Sequence, residues 1–335
     1  MFKSRIIYPT LPGRKSSPLD FRVYKEGRWW MNIDHWLEEV YMPGKLKMIT
    51  AMLIFGSIGL FVKNIHLSSS EIALFRGIIG SIFLFVASFV LRKKIRFHTS
   101  KKNIALLILS GGAIGFNWIF LFEAYRYTTI SNATLSYYFA PIFVMILAPL
   151  ILKEKLTWMK VTSIVSAMVG LFLIVGTDSG AGEGYDHVTG IMYGLLAAAF
   201  YASVILMNKF IKNLPDYEMT VAQLSLASLV LLPYVFLNET INIGSLDGKS
   251  ILFMIIVGII HTGLAYVLYF SALKELNGHT IAIFSYIDPI SSVIMAAIFL
   301  GEGMSFVQMI GGILILGSTY LSERKTISFS ANSKK

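Results

Sequence analysis

The sequence has no cysteine among its 335 residues. That absence excludes disulfides, thiolate metal sites and thiol catalysis, and leaves the redox compartment unmarked. Charge is scarce too: Asp, Glu, Lys and Arg supply 14% of the chain, against 55% hydrophobic residues. HExxH and GxSxG signatures, a phosphate-cradling glycine loop, and any His, Asp and Glu set at metal-ligand spacing are also missing. Neither an enzyme nor a bound cofactor or metal is therefore expected. No apolar run long enough for a signal-peptide core precedes Leu46.

What is present is hydrophobic mass in long blocks. Mean hydropathy is +0.67, and blocks of about 20 apolar residues match the roughly 30 Å hydrocarbon core of a bilayer. The chain reads as an all-α integral membrane protein. Ten spans are expected, near 46–62, 71–91, 103–122, 129–151, 158–176, 188–208, 218–237, 250–271, 279–300 and 304–321. The formal net charge of +10 does not signal nucleic acid, because the basic residues lie between the blocks rather than along a stripe.

One set of connections holds Arg92, Lys93, Lys94, Arg96, Lys101, Lys102, Lys153, Lys155, Lys160, Lys209, Lys212 and Lys274. The other holds only Lys63, Arg126 and Lys249, with Asp178, Glu183 and Asp186 in loop 177–187. The positive-inside rule then puts the first set and both termini in the cytoplasm of a cell-membrane protein. Residues 1–44 are polar, basic and loop-like. Trp29, Trp30 and Trp36 suit an interfacial anchor; the segment reads equally as an extension upstream of a start at Met42.

Shifted by 148 residues, the chain registers on itself without a gap from Gly112 to Glu154. Gly115 meets Gly263, Phe122 meets Phe270, Tyr138 meets Tyr286, Pro141 meets Pro289 and Glu154 meets Glu302. Each half holds five helices, and an odd number forces the copies into opposite orientations. Two inverted five-helix repeats around a midplane site are a transporter architecture. The expected division is a tail at 1–44, repeats at 45–177 and 187–322, and a cytoplasmic tail at 323–335.

Over residues 45–321 the sequence resembles the ten-helix EamA type of the drug/metabolite transporter superfamily. The resemblance rests on "SSSEIALFRGIIG" (68–80), "LSYYFAPI" with "LKEKLTW" (135–142, 152–158), and "HTGLAYVLYFSALKELNGHTIAIFSYIDPI" with "LGEGMSF" (261–290, 300–306). It implies alternating access through a central cavity between the halves, in many members as export of amino acids or other small metabolites.

A feature present in both halves serves the fold they share; one confined to a single half is a better site candidate. By that criterion Pro141 and Pro289 are kinks, Tyr138 and Tyr286 are packing, and Glu154 and Glu302 are interfacial loop anchors. Glu71 reads as a cap with Ser68, and Ser305 with Gln308 as another. Glu123 and Arg126 read as a local surface pair. Asp288 differs: it is mid-span, where a carboxylate costs about 2.5–3.5 kcal/mol, and its counterpart is Ala140. Ser285, Asp288 and Ser292 share one helical face. His261, with counterpart Ala113, is expected within roughly 3 Å of Asp288 in depth, so the two form a proton-coupling pair. Arg76 lies about 7 Å inside its span and either snorkels outward or faces substrate. Asn117, Trp118, Tyr137 and Gln223 complete the expected substrate-binding set, with Tyr201 a weaker candidate.

The expected function is a secondary transporter for a small molecule, an amino acid or drug-like solute, working as an exporter with proton coupling. An uncoupled facilitator is the alternative within that class, and a membrane scaffold or enzyme the alternative outside it. Small-xxx-small patterns at Ser163–Ala167 and Ser166–Gly170 allow helix packing and specify no oligomeric state.

Overall fold

The computed structural model describes residues 22–25, 28–31, 42–90, 99–176, 185–239, 246–276 and 278–332. The chain divides into two units, Met1–Pro43 and Gly44–Lys335. In the first, strands β1 (Arg22–Lys25) and β2 (Arg28–Met31) pair antiparallel, with Arg22 opposite Met31 and Lys25 opposite Arg28. A loop-like reading missed this pairing. The two strands, rich in Val, Tyr and Trp, stand two residues apart, which is hairpin spacing. Trp36 lies outside the described residues.

The second unit is helical. It comprises α1 (Gly44–Val62), α2 (Ser69–Val90), α3 (Lys101–Tyr127), α4 (Ile130–Tyr137), α5 (Ala140–Ile151), α6 (Trp158–Gly176), α7 (His187–Asn208) and α8 (Asp216–Asn238). It continues with α9 (Gly248–Ile256), a π-helical stretch Val257–Leu264, α10 (Ala265–Glu275), α11 (Gly278–Ser285), α12 (Ile287–Leu300) and α13 (Phe306–Asn332). Among the described residues nine helical spans are long and apolar enough to cross a bilayer, and Phe306–Leu321 is a shorter apolar helix. This unit is thus all-α, and the protein a multi-pass membrane protein. Helix α13 runs on to Asn332 without a break, beyond the expected end of the tenth span at 321. Within the expected connections, residues 91–98 and 177–184 lie outside the described residues.

Both predicted kinks are real breaks. Proline lacks an N–H, and its ring clashes with the carbonyl four residues earlier. For Pro141 that residue is Tyr137, where α4 ends; for Pro289 it is Ser285, where α11 ends. The caps follow the sequence as well. Ser68 N donates to Glu71 Oε2 at 2.8 Å and Glu71 N to Ser68 Oγ at 3.2 Å. Ser305 and Gln308 repeat the exchange at 2.8 and 3.2 Å. Glu123 and Arg126 form the local pair, at 3.9 Å.

The packing respects the repeat. Helix α1 lies against α10 and α12, and α7 against α3, α4 and α5; α2 lies against α8 and the π-helical stretch, and α8 against α3. Exchanging the halves maps α1–α10 onto α7–α3, α1–α12 onto α7–α5 and α2 with the π-helical stretch onto α8–α3, while α2–α8 maps onto itself. Helix α6 packs on α13, the remaining pair related by the same exchange. Gly170 is spent there: a Cβ on it would stand 2.6 Å from the Gly311 carbonyl. This small-residue pattern therefore closes the fold from within.

Candidate functional site

A cavity of about 230 Å³ lies among the central helices. Its walls include Met52 and Phe55 of α1, Arg76 of α2, Asn117 and Trp118 of α3, Thr134 and Tyr137 of α4, and Tyr201 of α7. Tyr266 and Tyr269 of α10, and Ser285, Asp288 and Ser292 flanking the second break, close it. Six tyrosines in all face it, at 125, 137, 138, 201, 266 and 269. The π-helical stretch that precedes α10 shifts side chains off the regular helical face, a departure frequent at functional sites.

Charge in this cavity comes from two side chains. Arg76 is 5% exposed, so it does not snorkel. Its Nε donates to Thr262 Oγ1 at 2.8 Å, and its guanidinium lies 4.4 Å from the Trp118 ring centroid. Asp288 accepts from the Tyr138 hydroxyl at 2.7 Å on Oδ2. Among the described residues no ion pair engages either side chain. A guanidinium held by an aromatic face and a hydroxyl, and a carboxylate held by a phenol, keep most of their hydrogen-bonding capacity for a guest.

The backbone is shaped to admit Asp288. A Cβ on Gly56 of α1 would stand 2.2 Å from Ser291 Oγ and 2.6 Å from the Asp288 carbonyl. Only glycine lets α1 approach α12 this closely. Ser292 Oγ meets Thr134 Oγ1 at 3.0 Å, which ties the two broken spans together, and Ser285 Oγ donates to the Ile281 carbonyl. Asn117 donates to the Ala197 carbonyl at 2.7 Å, fixing α3 to α7.

Not every expected residue is gathered here. His261 is 1% exposed and meets Ser57 Oγ at 3.0 Å and the Ile256 carbonyl at 3.4 Å, with the Phe61 ring at 4.9 Å. No hydrogen bond or ion pair joins it to Asp288, whose partner is Tyr138. The π-helical stretch contains His261, whose contacts on α1 are with Phe61 and with Ser57, the latter one residue along from Gly56, where the Asp288 backbone packs. Gln223 is also elsewhere, donating to Ser110 Oγ and Asn208 Oδ1, both at 2.7 Å. Conversely, Tyr138 enters the site although its repeat mate Tyr286 packs on Thr319 at 3.0 Å. Thr134, Tyr125 and Tyr269 were missed, since nothing in their local sequence marks them as polar intrusions.

Residues 42–176 and again 188–323 match the EamA-like transporter family. Over 83% of this chain and 88% of its own length, the uncharacterized transporter YxxF of Bacillus subtilis is 30% identical. An uncharacterized inner membrane transporter of Salmonella typhimurium, YicL, is 24% identical over 83% of this chain and 94% of its own. A human solute carrier family 35 member is 25% identical over 82% and 77%. A solved crystal structure shares the fold at a TM-score of 0.58, with 18% identity, covering 82% of this chain and 96% of its own.

Proposed function

The chain belongs to the EamA-like transporter family, and on that footing we propose that it moves a small zwitterionic metabolite with an apolar or aromatic side chain by alternating access. The observation that carries the reading is the placing of Arg76 and Asp288, opposite in charge, in one tyrosine-walled cavity. A substrate carboxylate is taken by the guanidinium, and an ammonium by the carboxylate and the surrounding ring faces. Phe55, Trp118 and Tyr266 supply apolar surface for the remainder. The volume, about 230 Å³, suits a solute of amino-acid size rather than a peptide.

Membrane transport is common to the family; direction and coupling are further parts of the proposal. Transport runs outward, and Asp288 takes a proton when the ammonium departs, so that a charge does not stand alone in the membrane interior. The repeats 45–177 and 187–322 rock against each other about this cavity, a division supported by the two family matches. The same proposal keeps both termini cytoplasmic, on the distribution of Lys and Arg.

Purified protein in vesicles, loaded with one amino acid and challenged with others, tests the substrate class. Zwitterions with apolar side chains should exchange. The corresponding amine without its carboxylate, and the acid without its amine, should compete at least about tenfold less well. Equal competition by all three would overturn the zwitterion reading, and rates that never saturate would favour a channel.

A further inference from the structure

We propose that Lys63 and Glu302 form the latch closing the outer end of the transport path, and that Glu154 and Lys209 form its counterpart at the inner end. The proposal rests on the alternating-access reading above and names the groups that alternate. Glu302 stands at a junction: Oε1 accepts from Lys63 Nζ at 2.5 Å, and Oε2 from the Ile130 amide at 2.7 Å. Lys63 Nζ also donates to the Tyr185 hydroxyl at 3.0 Å. One ion pair therefore ties the end of α1, the start of α4, the approach to α7 and the α12–α13 turn. Its side chains are 14% and 8% exposed, so opening this end breaks a largely desolvated pair.

The path runs past this pair. Tyr125, 4% exposed, lines the central cavity and also the vestibule whose wall includes Lys63, Glu71 and Tyr185. It is the residue common to the two walls, so on this proposal its ring stands between the cavity and the outer end.

The opposite end carries the same backbone with different partners. Gly301 and its repeat mate Lys153 both adopt left-handed φ, +68° and +57°. The amides that follow bond the same way, Glu302 N to the Ala296 carbonyl at 3.3 Å and Glu154 N to the Ala148 carbonyl at 3.4 Å. Yet the Glu154 carboxylate, 47% exposed, turns to Lys160 in the first turn of α6 at 2.9 Å. Lys209 follows α7 as Lys63 follows α1, and it is exposed. One latch is made and its mate is not. In an inverted repeat, exchanging the conformations of the halves converts one facing state into the other. That exchange releases Glu302 from Lys63 and carries Glu154 from Lys160 to Lys209.

Accessibility labelling tests this without reference to any substrate, so it stands apart from the zwitterion test. The chain is free of cysteine, so Leu121→Cys places one thiol in the cavity wall, and Leu67→Cys marks the vestibule face. The quantity measured is the ratio of labelling rates of Leu121→Cys by an impermeant maleimide from the two faces, in vesicles of each orientation. Lys63→Gln and Glu302→Gln, the latter keeping an acceptor for the Ile130 amide, should raise the vestibule-side ratio about tenfold. Lys63→Arg should leave it near the parent value. Glu154→Gln and Lys209→Gln should move it the other way, about threefold, as expected for an exposed pair. Shifts of one sign in both pairs, or none in either, overturn the proposal. Should the outer variants fail to insert, the exposed inner pair decides alone: an unchanged ratio there overturns the alternation.

Discussion

The Tyr138 hydroxyl donates to Asp288 Oδ2 at 2.7 Å, joining the proline break of the first repeat to that of the second. The two residues are 150 positions apart, and each sits where a span is interrupted. The bond ties the two interrupted spans together through the cavity's carboxylate. Asp288→Asn keeps size and polarity while removing the charge. It should insert and melt like the parent, lose proton-driven accumulation in vesicles, and lose most of its affinity for the ammonium group. Tyr138→Phe should retain transport and shift its pH profile, since the carboxylate then lacks its donor. Wild-type profiles in both variants would move the site away from this pair.

His261→Ala provides the complementary measurement. Its partners are Ser57 and the Ile256 carbonyl, and it is absent from the cavity wall. The expected result is a lower melting temperature in detergent, through the lost contact with Phe61, with the pH dependence of exchange unchanged. A shifted pH profile would restore a proton-handling role to this residue.

Asp186 gives a pH dependence of stability at the membrane surface. As N-cap of α7 it accepts from the Thr189 hydroxyl at 2.6 Å and the Thr189 amide at 3.1 Å. Those bonds, the hydroxyl first, hold its carboxyl below the ordinary carboxylate value. A depressed acid stabilises above its unfolded pKa and loses that contribution as pH falls through the folded one. Asp186→Asn keeps the cap and removes the charge that favours a helix N-terminus. The parent should therefore melt slightly above the variant at neutral pH, and the two should converge on acidification. A gap constant from neutral to acid pH would exclude the charge as its source.

The spans were legible because twenty apolar residues can do little else in a membrane protein, and proline clashes at a fixed distance. Pro141 and Pro289 gave the breaks, and Ser68–Glu71 and Ser305–Gln308 the caps, from local rules alone. Asp288, Asn117, Tyr137 and Arg76 were readable as expensive polar groups in apolar surroundings. Tyr138 was not, since comparing halves assigns a shared residue to the fold. The structure uses Tyr138 and Tyr286 differently, one on Asp288 and one on Thr319. Depth counted at a regular rise set His261 and Asp288 level, and both meet α1 at neighbouring residues, Ser57 and Gly56; the contact between them did not follow, because a π-helical stretch changes the azimuth of what it carries. The partner of Glu302, 239 residues away in Lys63, has no local signature at all.

Gly56 should be the least tolerant glycine beside the site. An alanine there drives its methyl towards the Asp288 carbonyl, which is backbone and cannot rotate away. Overpacking of this kind costs about 1–3 kcal/mol, read as a lower melting temperature in detergent. Gly317→Ala is the control: nothing lies within 4 Å of the added carbon, and helix propensity improves. If Gly56→Ala melts with the parent, α1 and α12 are not packed as closely as described.

Arg76 carries the sharpest consequence for substrate choice. Its guanidinium is planar, lies over Trp118 and donates from Nε to Thr262, leaving the outer nitrogens for a carboxylate. Lysine keeps the charge but neither the stacking surface nor the paired donors. Arg76→Lys should still reach the membrane, yet bind zwitterions about tenfold more weakly while leaving amines without a carboxylate unaffected. Arg76→Gln should weaken zwitterions further and bring amines level with them, because discrimination between the two is the contribution of the guanidinium. Competition in counterflow reads both ratios in one experiment. A uniform loss across zwitterions and amines would place Arg76 in the packing of α2 against Trp118, with no hand in recognising the carboxylate.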